Sequence, residues 1–157
     1  MTITLILVGK TDNRHLDVLI HDYKKRLSHF VNFKISIIPD LKKRKNMEFE
    51  LQKEKEGDLI LKQISTSDFV VLLDENGDEY TSTKLANWLQ KRMNSGLKNL
   101  VFVVGGPYGF SPEVYARGDQ KLSLSKMTFS HQMIRLFFTE QLYRAFTILG
   151  NLPYHHE

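Results

Sequence analysis

Leu100-Val101-Phe102-Val103-Val104-Gly105-Gly106-Pro107-Tyr108-Gly109 reads as a buried strand that empties into a glycine-rich loop. A helix start follows at once. Ser111 suits the capping position and Pro112 the first helical position, where a missing N–H costs nothing. In an open α/β sheet, ligands bind in the crevice outside the carboxyl ends of the strands. Glycine lets backbone approach a ligand closely, because no Cβ intervenes. The loop fits neither the dinucleotide fingerprint nor the Walker phosphate loop. Taken alone it is either a ligand loop or a turn, since Gly-Pro clusters mark turns generally.

Working outward, the same alternation recurs. Residues 3–8 and 33–38 read as strands around a helix at 13–30, whose Leu16, Leu19, Ile20, Tyr23, Leu27 and Phe30 keep helical spacing. Residues 46–64 form a charged surface helix with Gly57 as its weak point. A third strand covers 68–73, and Asp74-Glu75-Asn76-Gly77-Asp78 reads as its turn. A helix at 83–94 ends at Gly96. After the strand at 100–104 come a short helix at 112–117, a short strand at 121–125 and a last helix at 130–148. Strands alternating with helices imply a parallel-rich α/β sheet. No repeat, low-complexity stretch or linker interrupts residues 1–157, so one domain is expected.

Composition narrows the classes. The 157 residues suffice for one domain with a core, and 41% hydrophobic with 25% charged is ordinary for a globular protein. The absence of cysteine excludes disulfides, cysteine-ligated metals and thiol nucleophiles, and it fits a cytoplasmic protein. No apolar run reaches membrane-span length, and the N-terminus lacks the basic flank of a signal peptide. A net charge of +4 favours a polyanionic partner. The densest basic run, Lys42-Lys43-Arg44-Lys45, is either a solvated loop or a phosphate-contacting one.

Three strand ends carry candidate chemistry: Leu72–Gly77, the glycine loop, and Leu122 to Gln132, which passes from strand to helix through small hydroxyl residues. On one side of a sheet they converge on one pocket. Against this, Ser123, Ser125 and Thr128 suit turns and caps, Asp74 and Glu75 suit a solvated turn, and His131 suits a structural histidine. His15, His21 and His29 are 6 and 8 residues apart, which matches no zinc motif, and no third ligand joins His155 and His156, so no metal is expected. Arg135 and Arg144 lie two and a half turns apart, on nearly opposite faces of the last helix. One can pair with Glu140 and the other reach a ligand or partner. That helix is apolar almost all round, which means either burial or a subunit interface. The small domain favours the interface.

These pieces in this order resemble a known family. The segments "LILVGK", "VFVVGGPYGF", "LSLSKMTFSHQMIRLFFTEQLYRAF" and the terminal "PYH" are similar to those of the RlmH family, SPOUT-class methyltransferases that modify a pseudouridine of large-subunit ribosomal RNA. The resemblance runs the length of the chain, and its C-terminal block is the most specific part. It implies a SPOUT-type α/β sheet flanked by helices, with a C-terminal deep trefoil knot, an exception to the usual connection rules. It implies S-adenosylmethionine as cofactor, held by Leu72, Leu73, Gly105, Gly106, Leu124, Ser125, Lys126, Met127, Thr128 and Phe129. It implies a homodimer in which Tyr154 and His155 of the tail serve catalysis, with Arg135, Arg144 and His156 toward RNA. The substrate would be N3 of a pseudouridine in 23S ribosomal RNA within the assembled ribosome. Two departures stand out: Ser130 replaces a common proline, and His156 replaces a lysine or arginine after "PYH". The competing readings are a non-catalytic nucleotide-binding protein and a ribosome-associated structural factor.

Overall fold

A computed structural model describes residues 1–41 and 47–156. The basic run Lys42–Lys45 lies outside the described residues. Five strands form one sheet: β1 (Thr2–Val8), β2 (Asn32–Ile38), β3 (Phe69–Glu79), β4 (Asn99–Val104) and β5 (Gln120–Ser123). Their order is β2-β1-β4-β3-β5, and every neighbouring pair is parallel. Between them run α1 (Arg14–Leu27), α2 (Phe49–Leu61), α3 (Ser82–Asn94) and α4 (Pro112–Arg117), with α5 (Met133–Leu149) last.

The apolar strands are apolar throughout because both faces of the sheet are covered. Successive side chains point to opposite faces. Ile3, Leu5 and Leu7 of β1 join Leu100, Phe102 and Val104 of β4 in a core closed by α1, α3 and α5. The intervening Ile6, Val8, Val101 and Val103 join Ile60 of α2 and Val114 of α4 in a second core on the other face.

The helix boundaries follow local chemistry. Asn13 caps α1 by accepting from the His15 and Leu16 amides, and Thr81 accepts from the Lys84 amide at the start of α3. Ser111 accepts from the Val114 amide, and Pro112 opens α4, as the sequence predicts. Gly96, at φ +78°, lies just past the end of α3, where a left-handed residue terminates a helix.

One expectation is corrected. Asp74-Glu75-Asn76-Gly77-Asp78 is not a terminal turn, because β3 continues through it to Glu79. Both Leu73 and Asp78 stand opposite Leu122 of β5, so the residues between them bulge out of the ladder. Gly77 makes this possible: a Cβ there would lie 2.5 Å from the Leu122 backbone nitrogen. Of the two alternatives for α5, one chain alone shows burial along much of the helix. It packs against the sheet and has α1 on one flank and α3 on the other, so Phe138, Leu142, Ala145 and Phe146 are buried within one chain. A domain of this size does cover most of such a helix, and only Phe137 on it is exposed among its large apolar side chains.

Candidate active site at the strand ends

The carboxyl ends of β3, β4 and β5 open onto one cavity of about 510 Å³, within the range of small-molecule sites. Its walls are residues 73–76, the loop 104–110, residues 122–125 and 127–131, with Tyr115 of α4 and Ile134 of α5. The three strand ends singled out in the sequence therefore converge, as expected.

Eight of the ten residues expected at a cofactor line this cavity: Leu73, Gly105, Gly106, Leu124, Ser125, Met127, Thr128 and Phe129. Leu72 and Lys126 do not. Leu72 is fully buried in the second core, since β-strand alternation turns it away from its neighbour Leu73. The Lys126 side chain is exposed on the loop between Ser125 and Met127.

The protein's own side chains crowd the two loop glycines. A Cβ on Gly105 would stand 3.1 Å from the Phe110 ring, and one on Gly106 would stand 2.5 Å from the Glu56 carboxylate. The loop is pressed onto α2 and its own hydrophobic anchor, which fixes its backbone toward the cavity. Across from it, the Ser123 hydroxyl donates to the Ser125 carbonyl at 2.9 Å, and the Ser125 hydroxyl accepts from the Met127 amide at 2.9 Å. The loop after β5 is thereby folded by its own hydroxyls.

The bulge in β3 puts two carboxylates in the wall. Asp74 accepts a hydrogen bond from the Tyr115 hydroxyl, and Glu75 accepts one from the Thr128 hydroxyl at 3.1 Å. Burial, then the bond to Asp74, pushes the Tyr115 phenol up to about 12, so it remains a donor at neutral pH. Among the described residues that line the cavity, none is lysine or arginine. An acidic wall without cations suits a positively charged or zwitterionic ligand and opposes a polyphosphate. Asp74 and Glu75 look like turn residues in the sequence. Their role shows only when Gly77 is seen to fold the strand against Leu122.

The arginines part company. Arg135 is fully buried. Its guanidinium donates to the carbonyls of Val8 at 2.7 Å and Gly9 at 3.0 Å, and to the Thr11 hydroxyl at 3.2 Å; its Nε donates to the His131 carbonyl at 2.9 Å. Burial lowers its pKa, opposed by Asp12 and Asp40. The expectation that Arg135 meets RNA is corrected: its donors are engaged inside the chain, tying the end of β1 to the start of α5. Arg144 is half-buried and pairs with Glu140 at 2.6 Å.

Tyr154 and His155 are placed against α1 and α5, outside the cavity lining of their own chain. The Tyr154 hydroxyl donates to Glu140 at 3.0 Å and lies 3.1 Å from the Tyr23 hydroxyl. Arg144 sits over the Tyr154 ring at 4.8 Å, and its Nη1 is 3.4 Å from His155 Nδ1. Burial, then the bonds to Tyr23 and Glu140, raise the Tyr154 pKa well above the ordinary phenol value. His156 is exposed. Arg144, in the tail cluster, is ten residues beyond the cavity residue Ile134, which is about 15 Å along a helix axis. His131, in contrast, lines the cavity. No three His, Cys, Asp or Glu side chains converge on a metal geometry among the described residues.

An all-parallel sheet flanked by helices, with a crevice at its strand ends, defines an α/β protein with a small-molecule-sized cavity at the usual ligand position. A family described as predicted SPOUT methyltransferase matches residues 1–155, and the chain belongs to that family. Its relatives include proteins named ribosomal RNA large subunit methyltransferase H. The one from Christiangramia forsetii is 64% identical over 99% of each chain. Those from Flavobacterium johnsoniae and Phocaeicola vulgatus are 59% and 56% identical over the full length of both chains.

Proposed function

We propose that this chain is a large-subunit ribosomal RNA methyltransferase that uses S-adenosylmethionine to methylate N3 of a pseudouridine in the assembled ribosome. The observation that carries the reading is the cavity at the strand ends of a SPOUT-family chain, lined among the described residues by Asp74 and Glu75 and by no lysine or arginine. It receives support from the full-length similarity to proteins named as large-subunit methyltransferases.

The cavity residues fit the cofactor. Leu73, Val104, Leu122, Leu124 and Ile134 give apolar walls for a purine, and the bent loops 104–110 and 122–129 turn backbone toward it. Asp74 and Glu75 suit its ammonium and sulfonium charges. When bound, the cofactor supplies an electrophilic methyl group. The protein then has two tasks. It must align the nucleophilic nitrogen with that methyl, and fixing such geometry removes several kcal/mol, roughly, of barrier. It must also take the N3 proton, because a weakly acidic imide is a poor nucleophile until it loses that proton.

We assign the proton to the partner's His155, with Tyr154 as a hydrogen-bond donor that orients the base. Its own tail is held about 15 Å along α5 from the cavity, so the tail serves the site across a homodimer. Exposed apolar side chains on α1 and the tail, Val18, Leu19 and Leu152, support such an interface. The deep trefoil knot and the cytoplasmic location belong to the same reading. Exposed Arg and Lys, with Arg144 and His156 of the tail region, meet the RNA backbone.

Calorimetry with S-adenosylmethionine and, as control, ATP tests the cavity assignment. Saturable binding of S-adenosylmethionine without ATP binding is expected. Preference for ATP would overturn it.

A further inference from the structure

Beside the cavity stands a pair of aromatic rings that neither core absorbs. Phe49, the first residue of α2, stacks on Tyr108 of the glycine loop, with centroids 4.1 Å apart and planes inclined by 27°. Phe49 is 60% exposed and Tyr108 43% exposed, so each ring offers its outer face to solvent. Lone exposed apolar side chains are common. Two stacked ones at a cavity mouth are a different matter, because stacking holds each ring in one orientation and costs exposure of both. Tyr108 is part of the cavity wall, and so is Met127, which is 76% exposed. The platform is therefore continuous with the site. The Tyr108 hydroxyl has no hydrogen-bond partner among the described residues.

Exposed Glu48 and Glu50 flank Phe49, and cations stand elsewhere on the strand-end loops. The inner wall carries Asp74 and Glu75. Exposed cations stand at the strand-end edge: Lys126 lies between two cavity residues, and Lys10 follows β1, with its carbonyl bound by Gln132 just before α5. A stacked, exposed aromatic pair continuous with a small-molecule cavity is the kind of surface on which an unpaired base lies.

We infer that the Phe49–Tyr108 pair is a stacking platform for an unpaired RNA base next to the nucleotide that enters the cavity. This inference rests on the proposed RNA substrate. It adds a substrate-binding element supplied by Phe49 of α2 and Tyr108 of the glycine loop, continuous with the cavity wall at Tyr108. Stacking tolerates any base, so the platform contributes affinity and placement, and sequence choice falls to other contacts.

The test compares wild type with Tyr108→Ala, Tyr108→Phe and Phe49→Ala, using intact ribosomes as methyl acceptor and calorimetry with S-adenosylmethionine alone. Both rings are exposed, so neither truncation opens a core, and thermal melts verify this. Tyr108→Ala is expected to raise the KM for ribosomes by about tenfold or more, the scale of one lost base stack. In Phe49→Ala, whose ring is not part of the cavity wall, S-adenosylmethionine affinity stays within about twofold. Tyr108→Phe restores the wild-type KM, and Phe49→Ala raises it. An unchanged ribosome KM in Tyr108→Ala, with wild type active, overturns the platform and leaves the methyltransferase reading intact. Loss of S-adenosylmethionine affinity in Phe49→Ala also overturns it, since the pair then serves the cofactor. Failure of wild type to methylate ribosomes at all removes the reading on which the platform rests.

Discussion

Arg135 brings a charge into the interior and donates to three backbone carbonyls and the Thr11 hydroxyl. It holds the Val8 and Gly9 carbonyls of the β1 end against the His131 carbonyl of the α5 start. Replacing it by methionine leaves those carbonyls buried without a donor. Arg135→Met should lower stability by about 2–4 kcal/mol, because unmade buried hydrogen bonds are costly. Urea unfolding measures this, and an unchanged midpoint would contradict the clamp. Nothing in the sequence separates Arg135 from Arg144. Helical spacing places them on different faces, but which face is buried depends on β1, some 126 residues away. Ser130 is a similar case. Its hydroxyl accepts from the Met133 amide at 3.2 Å, a capping role that the proline common in the resembled family lacks. Tyr115 gives a pH signature. Its pKa is raised to about 12, so the folded state holds that proton above pH 10 when the unfolded chain has released it. The stabilisation is complete below pH 10 and is lost as pH rises through about 12. Thermal melts of Tyr115→Phe should therefore fall less steeply with alkaline pH than those of wild type.

At the scale of elements, the bulged end of β3 matters most. Asp74 to Gly77 has the composition of a turn, and sequence reasoning makes it one. The structure makes it strand because Gly77 can lie on the Leu122 backbone, and that pairing is a tertiary fact. The result is that Asp74, half-buried, and Glu75, exposed, both line the cavity. Gly77→Ala would push a Cβ against backbone that cannot swing aside. It should cost about 1–3 kcal/mol, as overpacking does, and weaken S-adenosylmethionine binding through the displaced carboxylates. Chemical denaturation and calorimetry on the same variant check both, and a stable variant with wild-type affinity would contradict the account. Elements whose signal is local were legible: the five strands, the caps at Ser111 and Pro112, and the stop at Gly96 all follow from residue type and spacing.

Across the whole molecule, the parallel sheet was legible because its strands are apolar on both faces and alternate with helices. The meeting of three strand ends followed from that, and eight expected cofactor residues do line one cavity. Leu72 escaped the reading because adjacent strand residues face opposite cores. The tail was legible as a motif, but its place was not. Tyr154 and His155 pack on α1 and α5 through Tyr23, Glu140 and Arg144, a network that joins residues 131 positions apart. If the tail acts across a dimer, mixing His155→Ala chains with chains disabled in the cavity by Gly77→Ala should restore methylation. Sites that combine an intact cavity with an intact partner tail then form in part of the mixed dimers. Activity no higher than that of the two variants alone would contradict exchange of tails.

The central claim is methyl transfer to large-subunit ribosomal RNA. Its most direct test is incubation of ribosomes lacking the modification with the purified protein and methyl-labelled S-adenosylmethionine, followed by digestion and mass analysis of the RNA. The account predicts label in large-subunit RNA, on a pseudouridine. A protein that binds S-adenosylmethionine yet leaves that RNA unlabelled would contradict it.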